Sequence, residues 1–162
     1  LMGVGILLLV LLVFRKPIHK KAYQVFFNQI IRDKSIPIMR PSEIDLIDKR
    51  VFLDCREPEE YAVSQIEGAM FFGYKNKNYA LLETIDKHDT ILAYCTVGYR
   101  SQMVVKELNE MGYLNVYNLS GGLFEWLHIG KKIVDRDQIT SNIHPYDAKW
   151  GLWLAEGNKV YE

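Results

Sequence analysis

Between Ile36 and Ile129, short apolar runs alternate with stretches of helical character, and this alternation constrains the fold more than any other feature of the chain. The runs are Ile36–Met39, Val51–Leu53, Ala69–Phe72, Thr90–Tyr94 and Asn115–Leu119. Each is too short for a buried helix and is bounded by polar or glycine-containing turns, so each reads as a strand. The intervening segments read as helices. Ser42 is placed to cap one through Asp48, Pro58 to start one through Ser64, and Tyr79–Ile85 forms a third. Ser101–Met111 is closed by Gly112, and Gly122–Ile129 is the last. Apolar strands separated by helices predict an α/β fold: a five-stranded parallel sheet with helices on both faces. In such sheets the chemistry gathers beyond the carboxyl ends of the strands.

The chain has 162 residues, enough for one domain with appendages, and 49% of them are hydrophobic. Residues 1–14 are all apolar or glycine, and Arg15, Lys16, His19, Lys20 and Lys21 follow. Fourteen helical residues span roughly 21 Å, short of the ~30 Å hydrocarbon core of a bilayer. A membrane anchor, a cleaved signal peptide and a buried core helix are the competing readings. The positive charges come after the apolar stretch and no small-residue cleavage site follows, so an anchor is preferred to a signal peptide. The basic side then faces the cytoplasm, and the soluble part with it; export after cleavage is the alternative. The expected organisation is an apolar N-terminal helix at 1–16, an amphipathic linker helix at 17–35, the α/β domain at 36–130 and an extension at 131–162. On the linker helix, Ala22, Val25, Phe26 and Ile30 are read as the apolar face. The extension carries Trp150 and Trp153, and exposing such a pair is costly, so it is expected to pack back on the domain.

Equal numbers of acidic and basic residues give no net charge, which argues against a nucleic-acid partner. Two cysteines, Cys55 and Cys95, do not make a disulfide scaffold. No Cys/His pair has zinc-ligand spacing, so neither a metal nor a cofactor is expected.

The segment that carries chemistry is Cys95-Thr96-Val97-Gly98-Tyr99-Arg100-Ser101. It joins the end of a strand to the start of a helix. The backbone N–H groups of such a loop curl into an anion-binding concavity, and the helix N-terminus adds positive potential. A thiol placed there is a ready nucleophile. Arg100 offers a planar fork suited to an oxyanion, Gly98 permits backbone angles that other residues resist, and Ser101 is placed to cap the helix. Read alone, Cys95 would be no more than a small buried residue; the Cys-x4-Arg-Ser spacing makes it a candidate nucleophile.

Several separated motifs share an order and spacing: Asp54-x-Arg56-Glu57-Pro58-x-Glu60-Tyr61, Ile66-x-Gly68-Ala69, the loop from Tyr94 through Ser101, and Gly121-Gly122 with Trp126. Together they resemble the single-domain members of the rhodanese family over about Ile36 to Ile129. The resemblance implies sulfur transfer through a persulfide on Cys95, with Thr96 to Ser101 as the cradle and no metal or cofactor. It implies a small-molecule sulfur donor such as thiosulfate and a thiol or cyanide acceptor, with a protein as a further candidate acceptor. Asp54 and Arg56 are read as structural support for the turn after their strand. Two other functions remain open: a persulfide-carrying docking module, and phosphatase or arsenate reductase chemistry on the same fold. The latter uses five residues between Cys and Arg, and here there are four. Cys55 is read as a buried small residue, with a resolving thiol as the alternative.

Overall fold

The structure is a computed structural model that describes residues 21–27, 29, 31 and 33–161. Five strands form one parallel sheet: β1 (Ile38–Met39), β2 (Arg50–Asp54), β3 (Met70–Phe71), β4 (Thr90–Tyr94) and β5 (Asn115–Leu119), in the order β1-β5-β4-β2-β3. The register sets Asp54 beside Tyr94 and Leu92 beside Tyr117, so β2, β4 and β5 form the centre of the sheet. Side chains alternate across it. Leu53, Ile91, Ala93 and Val116 face one way, onto Val104, Val105 and Leu108 of helix α3 (Tyr99–Glu110). Phe52, Leu92, Tyr94 and Leu119 face the other, onto Leu123 and Phe124 of α4 (Gly122–His128). The sheet is therefore covered on both faces, as the alternation of apolar runs requires.

Helix α2 (Pro58–Val63) begins as its sequence predicts, with Pro58 in the first turn and a capping box between Glu57 and Glu60. Two expected helices are shorter and tighter. Ser42–Asp48 reduces to a 3-10 turn at Ile44–Leu46, and Ser42 does not cap it; the residue before the turn is Glu43, whose carboxylate accepts the Arg40 N–H instead. Tyr79–Thr84 is also 3-10.

Residues 21–27 are helical (α1); of the expected apolar face Phe26 packs inward, Ile30 lies outside the described residues, and the rest of the contact is made by other residues. Val25 is exposed, while Tyr23 and Phe27 are buried. These two stand four apart, and the large rings win the contact: Tyr23 packs edge-on against His128 and donates its hydroxyl to the Gly121 carbonyl at 2.6 Å. The apolar segment 1–16 lies outside the described residues. Among those described, no helix is long and apolar enough to cross a membrane.

The extension packs against the domain. A β6–β7 hairpin (Ile133–Asp135, Gln138–Thr140) turns on Arg136 and Asp137, both at positive φ, which suits the right-handed twist of a two-residue turn. Two short strands, β8 (Asn142–Ile143) and β9 (Asn158–Lys159), pair around α5 (Ala148–Gly151). Ile143 and Leu154 join the core cluster of α4. Phe26 of α1 stacks on Trp153 at 4.1 Å and 8°, and the two tryptophans cover it.

Candidate active site

Cys95 follows directly on β4, at the carboxyl edge of the sheet. Its loop folds back because Gly98 takes φ +93, a left-handed conformation open to glycine, and this turns the Gly98 N–H onto the Cys95 sulfur at 3.1 Å. A side chain at Gly98 would also press on the Phe27 ring at 3.0 Å. The loop is held from below by α4: Leu123 N–H donates to the Cys95 carbonyl at 2.9 Å and Phe124 N–H to the Thr96 carbonyl at 3.1 Å. That contact explains Gly122. A Cβ there would lie 2.3 Å from the Cys95 carbonyl oxygen and 2.9 Å from the Gly98 nitrogen. The helix thus spends its free N-terminal donors on the loop carbonyls, leaving loop amides for the cavity side.

Ser101 does not cap α3. The helix begins at Tyr99, two residues earlier than expected, so Ser101 is already inside it. Its hydroxyl donates to Asn118 Oδ1 at 2.7 Å, and Asn118 Nδ2 donates in turn to the Gly98 carbonyl at 3.0 Å. The two residues tie the loop to β5.

Arg100 is committed elsewhere than the sequence implies. Its Nη1 donates to Glu60 Oε2 at 2.6 Å and its Nη2 to Glu60 Oε1 at 2.8 Å, a two-pronged pair. Thr96 joins it, donating to Glu60 Oε1 at 2.8 Å while accepting from Arg100 Nη2 at 3.0 Å. Glu57 N–H completes the set on Glu60 Oε2 at 3.0 Å. Burial opposes the charge on both partners. The Arg100 hydrogen bonds nevertheless hold the Glu60 carboxyl below its usual range, and Glu60 together with Cys95 holds Arg100 protonated.

Asp54 and Arg56 form a second buried pair deeper in the sheet edge. Arg56 Nε and Nη2 donate to Asp54 at 2.9 and 2.7 Å, and Nη2 also reaches the Ser64 carbonyl at 2.5 Å. Tyr94 donates its hydroxyl to Asp54 Oδ2 at 2.6 Å and accepts from the Ile66 N–H at 3.2 Å. Burial first, and then the Asp54 charge, push the Tyr94 phenol well up. Neither Asp54 nor Arg56 lines the cavity over Cys95. Cys55 is fully buried in the cluster facing α3, its thiol directed to the Leu53 carbonyl at 3.5 Å.

The cavity measures about 330 Å³. Cys95, Thr96, Val97, Tyr99 and Arg100 make its floor and one side. Glu57, Tyr74 and Lys75 rim it from the loops after β2 and β3, and Tyr146 and Trp150 reach it from the extension. Tyr146 lays its ring over the Arg100 guanidinium at 4.8 Å from the centroid. Sequence reasoning missed Glu60, Lys75, Tyr146 and Trp150. Glu60 had a signal in Glu57-Pro58-x-Glu60, the signature of a capping box, but nothing local tied it to Arg100 forty residues on. Tyr146 and Trp150 carry no local signal.

Fold and site define an α/β domain that presents a cysteine in an amide-lined loop at the carboxyl edge of a parallel sheet. The chain belongs to the rhodanese-like domain family, whose profile matches residues 43–129. A thiosulfate sulfurtransferase GlpE from Coxiella burnetii is 35% identical over 85 residues, covering 51% of this chain and 78% of the relative. A tRNA uridine(34) hydroxylase from Buchnera aphidicola is 30% identical over 89 residues, covering 52% of this chain but 28% of that protein. Among solved structures, a rhodanese-related protein from Thermoplasma volcanium superposes with a TM-score of 0.53 at 22% identity, covering 62% of this chain and 99% of its own. A thiosulfate sulfurtransferase from Pseudomonas aeruginosa gives 0.58 at 19% identity, over 72% of this chain and 23% of its own. Both share the fold.

Proposed function

We propose that the chain is a sulfurtransferase that carries sulfane sulfur as a persulfide on Cys95. The observation that carries the reading is the Gly98 N–H directed onto the Cys95 sulfur inside a loop whose carbonyls are already occupied by α4. Such a loop stabilises negative charge on sulfur with backbone dipoles and needs no metal. In the first half-reaction the Cys95 thiolate attacks the outer sulfur of a donor such as thiosulfate. The new S–S bond forms at Cys95, the donor's S–S bond breaks, and sulfite leaves with the electron pair. In the second, a thiol or cyanide attacks the terminal sulfur of the persulfide and releases the Cys95 thiolate. Thr96, Val97, Gly98 and Tyr99 form the cradle in this reading. Arg100 and Ser101 brace it through Glu60 and Asn118, and Asp54 and Arg56 hold the sheet edge beneath. Cys95 is only 1% exposed, so a donor reaches it through the cavity with its terminal sulfur foremost.

The test is mass spectrometry of the protein after incubation with thiosulfate. Cys95 is expected to gain one sulfur atom, and addition of cyanide to remove it as thiocyanate. Cys95→Ser, with an unchanged far-ultraviolet circular dichroism spectrum, is expected to gain none. A folded Ser variant that still transfers sulfur would overturn the reading.

A further inference from the structure

The extension after Gly130 lies beyond the residues matched by the family profile, yet it supplies one wall of the cavity over Cys95. Tyr146 is the most constrained residue in that wall. Its backbone sits at φ +75, a region that an aromatic L-residue rarely adopts. Strain of this kind persists where the surroundings over-determine it, and it clusters at ligand-binding positions. Here Tyr146 N–H donates to His144 Nδ1 at 3.1 Å, and the next turn is pinned by Trp150 N–H donating to Asp147 Oδ1 at 2.9 Å. Behind the wall, Phe26 packs on Trp150 with ring centroids 5.7 Å apart. The strained backbone, the local braces and the packing from α1 hold two rings in the wall of the cavity that Cys95 also lines.

The charges around the cavity say what those rings are for. Arg100 is paired two-pronged with Glu60, and Lys75 stands 3.9 Å from Glu57. These four side chains sum to no net charge, so beyond the loop amides they add no attraction for a second negative charge on the donor. Size points the same way. The cavity holds about 330 Å³. On this measure one water needs only about 10–15 Å³, so the cavity has room for more than a small anion. Tyr74, Tyr99, Tyr146 and Trp150 ring the remainder.

We propose that Tyr146 and Trp150 are specificity residues that select a sulfur donor whose terminal sulfur is carried on a planar, apolar body, in preference to inorganic thiosulfate. The inference rests on Cys95 acting as the sulfur carrier. With a thiosulfonate donor the Cys95 thiolate attacks the terminal sulfur, the bond from that sulfur to the sulfonyl sulfur breaks, and the sulfinate leaves with the electron pair. Neither an oxidant nor a reductant is needed.

The test compares benzenethiosulfonate with methanethiosulfonate, which share charge and reacting group and differ in the ring. In the unaltered chain, kcat/KM is expected to favour the aryl donor by about tenfold, mainly through KM, as one aromatic contact together with the ring's own burial allows. Tyr146→Gly removes the ring and relieves the backbone at once, so the fold is not the casualty, and the aryl-to-methyl ratio is expected to fall toward one. Tyr146→Phe keeps the ring over Arg100 and is expected to keep the ratio. Trp150→Leu is expected to lower the ratio in part. An unaltered chain with no aryl preference, or a Tyr146→Gly variant that keeps it, overturns this inference and leaves the sulfur-transfer reading standing. Failure of every donor to place sulfur on Cys95 overturns both.

Discussion

Replacing Glu60 by Gln tests how the loop is held. Glu60 is 1% exposed and accepts hydrogen bonds from Arg100 Nη1 and Nη2, from the Thr96 hydroxyl and from the Glu57 N–H. A Gln oxygen can serve one pair of these donors, but its NH2 then faces the other pair. The Arg100 charge is left buried without a counter-charge. Breaking a buried pair in this way costs about 3–5 kcal/mol. Against a total stability of about 5–15 kcal/mol, that is about a fifth or more of what a domain has. At roughly 2–4 °C per kcal/mol for a chain of this size, the midpoint of thermal unfolding drops by roughly 6–20 °C. Urea unfolding of the wild type, Glu60→Gln, Arg100→Met and the double variant gives the cycle. The double variant removes both charges, so it is expected to lose less than the two single losses combined, with a coupling of about 2 kcal/mol or more. A single-variant loss below about 1 kcal/mol, or strictly additive losses, would show that the pair does not brace the loop.

Three further expectations follow from the same contacts. Gly122→Ala places a methyl 2.3 Å from the Cys95 carbonyl at φ +55; it is expected to cost about 2–4 kcal/mol and to lower kcat more than it raises KM, read by unfolding and steady-state kinetics. Because Glu60 is held below its unfolded value near 4.3, its contribution is complete above that pH and is lost as pH falls through the folded value. Stability is therefore expected to decline from about pH 4 downward, and Glu60→Gln to flatten that limb in urea titrations at several pH values. Cys55→Ser is expected to retain most sulfur transfer, and mild peroxide to oxidise Cys95 without an intramolecular bridge, because Cys55 is fully buried with its thiol on the Leu53 carbonyl and burial pushes that thiol well up. Peptide mass spectrometry reads both outcomes, and a dominant Cys55–Cys95 disulfide would refute the second.

The strands and the loop were legible because their signals are local. Apolar runs such as Thr90–Tyr94 declare a strand buried on both faces, and Cys95 through Ser101 declares a strand-to-helix turn, whatever the remainder of the chain does. Pro58 and the Glu57/Glu60 capping box marked the start of α2 for the same reason. What failed were inferences that needed a partner distant in sequence. Ser101 does not cap because Asn118 takes its hydroxyl, and Arg100 lines the cavity with both prongs already on Glu60, which its own segment does not reveal. The expected face of α1 held Phe26 but left out Tyr23 and Phe27, which answer to Gly121, His128 and the Gly98 loop and which helical periodicity does not see. Tyr146 and Trp150 are the extreme case. Nothing within reach of their own segment marks them as site residues, and it is the packing of the extension that brings them into the cavity with Cys95. Sequence alone determines most of the secondary structure and singles out the candidate cysteine, since backbone hydrogen bonding and hydrophobic period act over a few residues. Which charges are already spent and which rings close the cavity depend on contacts across the fold, and only the tertiary structure decides them.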